Sequence, residues 1–192
     1  MLTDLPNVLT LLRIALIPAL VALLVLGTAI GHLAALAVYT FACITDYLDG
    51  ALARRWQQHS ELGRMMDPIA DKLLVGALLL TLAGTNSLPY HALFAAIIIL
   101  IREIMVSGLR EYVASQGGKL PSTRLAKWKT GLQMVSIGFL VAGNSIVPLL
   151  GLKPFNASGL GSILLWLSVI PTVLSGYGYA KAALKHMQKK II

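Results

Sequence analysis

The sequence predicts an all-α integral membrane protein, a bundle of six transmembrane helices, and three observations predict it. Its 192 residues are 57% hydrophobic and 12% charged, with a mean hydropathy of +0.77, whereas soluble domains carry roughly 25% charged residues. Six apolar segments lie near the roughly 20 residues that span a bilayer. Lys and Arg fall almost entirely on one side of these alternating segments.

The first segment, residues 5–26, holds Arg13 within its apolar run and has no basic stretch before it, so it reads as a retained helix and not as a signal peptide. Turn chemistry over 27–31 separates it from the second, 32–56. The third, 67–83, opens on Asp67-Pro68, the pattern of an N-cap followed by proline at the first helical position. Breaks over 84–89 and 116–121 bound the fourth, 88–113. The fifth, 125–147, leads into a Gly- and Pro-containing stretch over 143–161, and the sixth covers 159–184. Repeats, low-complexity tracts and alternating strand patterns are absent from the sequence, so residues 1–192 read as one membrane-embedded domain.

The breaks after the first and third segments contain no Lys or Arg, and the break after the fifth contains only Lys153. Arg54, Arg55, Arg64, Arg110, Lys119, Arg124, Lys127, Lys129, Lys185, Lys189 and Lys190 collect on the opposite side. The positive-inside rule makes that side cytoplasmic, with both termini there. The net charge of +8 then reads as topology plus attraction for anionic headgroups and phosphorylated substrates. No nucleic-acid-binding motif accompanies it. Cys43, the only cysteine, reads as a small packing residue.

Four aspartates, Asp46, Asp49, Asp67 and Asp71, stand in these apolar segments within 26 positions, in a chain with eight acidic residues. An ionised side chain at membrane depth costs roughly 2.5 to 3.5 kcal/mol, so such a group needs compensation. Helical spacing puts Asp46, Asp49, Gly50 and Ala53 on one face, and Asp67 and Asp71 one turn apart on another. Two facing pairs of carboxylates suit Mg²⁺ or Mn²⁺, hard cations that commonly sit between carboxylates and substrate phosphates. A diphosphate substrate follows, with Gly50 and Ala53 leaving room for a nucleotide and Arg54 reaching a phosphate oxygen. Taken alone, Gly50 and Ala53 also fit a close helix crossing, and Asp67 an ordinary cap.

Arg102-Glu103 and Arg110-Glu111 recur eight residues apart, which puts the two arginines within about 80° on one helix. With Lys127 and Lys129 they form a basic stripe suited to an anionic acceptor. The competing reading makes Arg110, Lys127 and Lys129 membrane anchors and pairs Arg102 with Glu103 or a motif aspartate.

Asp46, Asp49, Gly50, Ala53, Arg54, Gly63, Asp67 and Asp71 occupy all eight specified positions of the signature D-x2-D-G-x2-A-R-x8-G-x3-D-x3-D. On that basis the chain resembles the CDP-alcohol phosphotransferases. The resemblance implies a six-helix enzyme of the cytoplasmic (inner) membrane whose site faces the cytoplasm, and a homodimer. Asp46, Asp49 and Asp67 would hold one or two divalent ions, Mg²⁺ or Mn²⁺, with Asp71 sharing the second. Gly50, Ala53, Arg54 and Gly63 would join these aspartates in binding the CDP donor, and Asp71 would be the general base.

The opening Leu5-Pro6-Asn7-x-Leu9-Thr10-x-x-Arg13, the two Arg-Glu pairs and Ala126-Lys127-x-Lys129-Thr130 are most similar to the subgroup that transfers a phosphatidyl group from CDP-diacylglycerol to glycerol 3-phosphate. In that subgroup Arg102, Arg110, Lys127 and Lys129 would hold the acceptor phosphate. Other acceptors, as in cardiolipin synthesis, give the nearest alternative. Intramembrane prenyl transfer and cation transport are the more distant ones.

Overall fold

A computed structural model of the chain describes residues 5–56, 61–118, 120, 123–151 and 153–191, excepting the side chains of 5, 6, 47–56, 61, 62, 64, 124 and 189–191. The described residues form helices and connecting turns, with no strand: α1 (Leu5–Val25), α2 (Ala29–Trp56), α3 (Glu61–Gly84), α4 (Tyr90–Ser115), α5 (Arg124–Ala142), α6 (Ile146–Leu149) and α7 (Ala157–Ile191). Among the described residues, four helices are long and apolar enough to cross a membrane, through Asn7–Val25, Ala29–Asp46, Tyr90–Ser115 and Ala157–Gln188. Large apolar side chains such as Leu80, Ile104 and Ile163 point outward and are well exposed, an arrangement that suits lipid and penalises water contact.

Two boundaries differ from the sequence expectation for physical reasons. Helix α3 starts at Glu61 and carries Pro68 in its interior, so Asp67 is a mid-helix residue and not an N-cap. Proline's fixed φ is helical, and the helix continues past the one amide it lacks; the Pro68 carbonyl also accepts a 2.8 Å hydrogen bond from Lys72 Nζ. Helix α5 stops at Ala142 instead of running to Val147. Gly143 takes φ +62° and its N–H closes on the Phe139 carbonyl at 3.1 Å, a glycine-terminated helix end.

The chain packs as two compact units: Met1–Pro89 with Ile137–Gly161, and Tyr90–Ser136 with Ser162–Ile192. In the first, α1 packs on α2 and α3, and α2 on α6. Ala35, Ala42 and Ala70 are fully buried, small residues of the kind that let membrane helices approach closely. His32 donates from Nδ1 to the Val141 carbonyl at 2.7 Å, tying the start of α2 to the end of α5.

The second unit has an apolar wall on α4, with Ala92, Ala95, Ile99 and Val106 buried, beside a buried polar seam that includes Arg102, Lys129, Gln133, Thr172 and Ser175. Hydroxyls on α7 return to their own helix, Thr172 Oγ1 to the Ser168 carbonyl and Ser175 Oγ to the Pro171 carbonyl, both at 2.6 Å. Such bonds satisfy a hydroxyl locally.

Candidate active site

One face of α1 organises the carboxylates. Asn7, Thr10 and Arg13 recur every three residues, are buried to 3%, 1% and 1% exposure, and so make a polar stripe on an otherwise apolar helix. Arg13 Nη1 lies 2.7 Å from Asp46 Oδ1 on α2 and 3.0 Å from Asp71 Oδ1 on α3. Thr10 Oγ1 donates to Asp67 Oδ1 at 2.6 Å.

Asp46 of α2 and Asp67 and Asp71 of α3 are thus brought to α1, through Arg13 and Thr10. The side chains of Asp49, Gly50, Ala53 and Arg54 lie outside the described residues; their backbone belongs to α2. Gly63 sits one turn before Asp67 in α3.

Arg13 and Thr10 are the residues that site reasoning from sequence missed. The signal was present: Arg13 is a lone cation inside an apolar helix, and a buried guanidinium in a membrane protein calls for an acidic partner. The acid-rich segments held the available partners.

The donor set is all oxygen and drawn from two helices, with a hydroxyl orienting one carboxylate from behind, which is the ligand chemistry and outer-shell support of a hard divalent cation. Among the described residues no three His, Cys, Asp or Glu side chains already converge as a metal cluster. Asp49, three residues beyond Asp46 on α2, would be a further oxygen donor on that helix face. The residues fit Mg²⁺ or Mn²⁺ in chemistry, with Arg13 balancing the charge of Asp46 and Asp71.

The stripe on α4 forms within the second unit. Arg102 donates from Nε to the Thr172 carbonyl at 3.1 Å, from Nη2 to Ser175 Oγ at 2.8 Å and from Nη1 to Glu103 Oε1 at 3.2 Å. Gly176 eases the approach, since a Cβ there would sit 3.1 Å from Arg102 Cγ. Lys129 pairs with the same Glu103 oxygen, so two buried cations share one carboxylate. Arg110 and Lys127 are exposed. The guanidinium carbons of Arg102 and Arg110 lie 5.8 and 5.1 Å from the centroid of the Tyr179 ring, the common face that their spacing predicted. The pairing of Arg102 with Glu103, one of the two sequence readings, is thus present.

Among the described residues, helices with membrane-length spans and carboxylates of two helices paired to one buried cation define the class of membrane proteins that handle charged groups at a lipid boundary. The chain is a member of the CDP-alcohol phosphatidyltransferase family, whose model matches residues 3–174. It is 36% identical over 183 residues to the CDP-diacylglycerol–glycerol-3-phosphate 3-phosphatidyltransferase of Rickettsia bellii, covering 95% of this chain and 97% of that one. Proteins of the same name are similar in Cereibacter sphaeroides, at 33% over 96% of this chain and 97% of that protein, and in Pseudomonas fluorescens, at 42% over 72% of each. Family membership sets aside prenyl transfer and cation transport.

Proposed function

We propose that this chain transfers the phosphatidyl group of CDP-diacylglycerol to the 1-hydroxyl of sn-glycerol 3-phosphate, giving phosphatidylglycerophosphate and CMP. The observation that carries the reading is the gathering of Asp46, Asp67 and Asp71 by Arg13 and Thr10. Residues at two of these positions, Thr10 and Arg13, belong to the opening that marks the glycerol 3-phosphate subgroup. The names of the relatives agree with it.

Asp46, Asp49 and Asp67, with Asp71 sharing, would hold Mg²⁺ or Mn²⁺, which would supply neutralisation of diphosphate charge, the main requirement of phosphoryl transfer. Gly50, Ala53 and Gly63 leave space for the cytidine nucleotide, and Arg54 contacts a phosphate. Arg13 fixes one oxygen of Asp71, and the carboxylate accepts the proton of the acceptor hydroxyl. The new bond joins that oxygen to the phosphorus bearing diacylglycerol as the bond to CMP breaks.

In the second unit the exposed cations Arg110 and Lys127 take the acceptor phosphate. Arg102 and Lys129 add net positive charge, because the pair shares the single carboxylate of Glu103. All six long helices, α1 to α5 and α7, cross the cytoplasmic membrane, with the basic ends and both termini on the cytoplasmic side, and the enzyme works as a homodimer.

The test is CMP release by the purified protein with CDP-diacylglycerol and Mg²⁺ or Mn²⁺, across glycerol 3-phosphate, glycerol, serine, inositol phosphate and phosphatidylglycerol. Release with glycerol 3-phosphate alone is expected. Release with another acceptor instead would move the chain to another activity within its family.

A further inference from the structure

Tyr179 stands at the junction of three features in the second unit. It is 4% exposed and lies on α7, beyond the residues matched by the family model. The guanidinium of Arg110 lies 5.1 Å from its ring centroid, within the range of cation–π attraction. Its hydroxyl accepts a 3.3 Å hydrogen bond from the N–H of Thr123. Thr123 is the residue before α5, and its Oγ1 accepts from the Ala126 N–H at 3.2 Å, which makes it the side-chain cap of that helix. One aromatic side chain therefore holds a cation on α4 by its face and the start of α5, where Lys127 and Lys129 stand, by its hydroxyl.

The two arginines at this ring differ in what they have left to offer. Arg102 has Nε, Nη1 and Nη2 committed to Thr172, Glu103 and Ser175. Arg110 is exposed and among the described residues gives one long bond, 3.4 Å, to the Leu120 carbonyl. A guanidinium laid against a ring loses rotamer freedom before it meets a ligand, and preorganisation of that kind is expressed as affinity. Its outward N–H groups keep the planar fork that matches a phosphate.

We propose that Tyr179 is a positioning residue of the acceptor-phosphate site: its ring presents Arg110 and its hydroxyl fixes the capped start of α5, so that a phosphomonoester meets preset cations. This rests on the acceptor reading given under Proposed function. Tyr179 acts through Arg110 and Thr123 and does not itself touch the reacting atoms.

The test compares Tyr179→Phe with Tyr179→4-fluorophenylalanine and Tyr179→3,4,5-trifluorophenylalanine, substitutions that keep ring shape while draining charge from its face. KM for glycerol 3-phosphate and for CDP-diacylglycerol is measured for each, in wild-type and Arg110→Gln backgrounds. With Arg110 present, acceptor KM rises with each added fluorine, by about two- to fivefold in total, the range expected for a partly exposed cation–π contact. Donor KM stays level, whereas a general loss of folding would lower the active fraction, and with it the apparent kcat, without raising acceptor KM alone. In the Arg110→Gln background the fluorine series is flat. A flat series with Arg110 present, alongside a raised acceptor KM for Arg110→Gln, overturns the role of Tyr179 and leaves the acceptor reading standing. An unchanged acceptor KM for Arg110→Gln itself overturns both.

Discussion

Arg13 and Asp71, 58 residues apart in sequence, meet through Nη1 and Oδ1 at 3.0 Å, and the same nitrogen holds Asp46 at 2.7 Å. Two carboxylates on different helices thus share one buried cation.

Replacing that cation by a neutral residue of similar length leaves Asp46 and Asp71 facing each other without compensation. Breaking a fully buried pair costs about 3 to 5 kcal/mol. Asp71 is half exposed, at 49% of its side chain, so Arg13→Gln should destabilise by about 1 to 3 kcal/mol after allowing for solvent screening. Thermal unfolding in EDTA should show the loss, and added Mg²⁺ should recover part of it by supplying charge to the same oxygens. Equal unfolding temperatures for wild type and Arg13→Gln in EDTA would contradict the pairing.

Asp71→Asn keeps the shape of the side chain and removes its basicity. Turnover should fall by at least about 100-fold, the lower range for a general base, while metal-dependent binding of the CDP donor survives. Donor binding read by equilibrium dialysis beside steady-state rates separates the two effects.

Thr10 supports Asp67 from behind. Thr10→Val removes the 2.6 Å hydrogen bond at nearly constant volume, and outer-shell losses typically cost about 10- to 100-fold in metal affinity. The Mg²⁺ concentration for half-maximal activity should rise accordingly, with Thr10→Ser close to wild type. A Thr10→Val enzyme with unaltered metal dependence would separate Thr10 from the site.

The Glu103 carboxylate pairs with both Arg102 and Lys129. Glu103→Gln leaves two buried cations facing each other and should lower the unfolding temperature more than Lys129→Met does. Combining the two should recover stability relative to Glu103→Gln alone, because the second change removes a charge stranded by the first. Additive losses in the double variant would mean that the pair does not interact.

Much of this was legible in the sequence because the signals are local. The six apolar segments each contain a long helix, and the 3.6-residue period put Asp46 on one helix and Asp67 with Asp71 on the next. Two things were not legible. The start of α3 at Glu61 was hidden by Asp67-Pro68, a pattern with a lower-energy use as a helix start that the polar residues ahead of it override. The contacts of Arg13 and Tyr179 depend on chain segments more than 30 residues away, and periodicity carries no information about which faces meet. For Arg13 an indirect clue existed, a lone buried cation in a chain with few acids. Tyr179 sits among apolar and small residues with nothing to distinguish it until Arg110 and Thr123 are beside it.

Transfer of a phosphatidyl group to glycerol 3-phosphate at these carboxylates is read by incorporation of radiolabelled glycerol 3-phosphate into chloroform-soluble lipid, using wild type and Asp71→Asn in detergent with CDP-diacylglycerol and Mg²⁺. Label should enter phosphatidylglycerophosphate with the wild type, in step with CMP release, and should be lost with Asp71→Asn. Label absent from the lipid phase with the wild type, or undiminished with Asp71→Asn, would contradict the account.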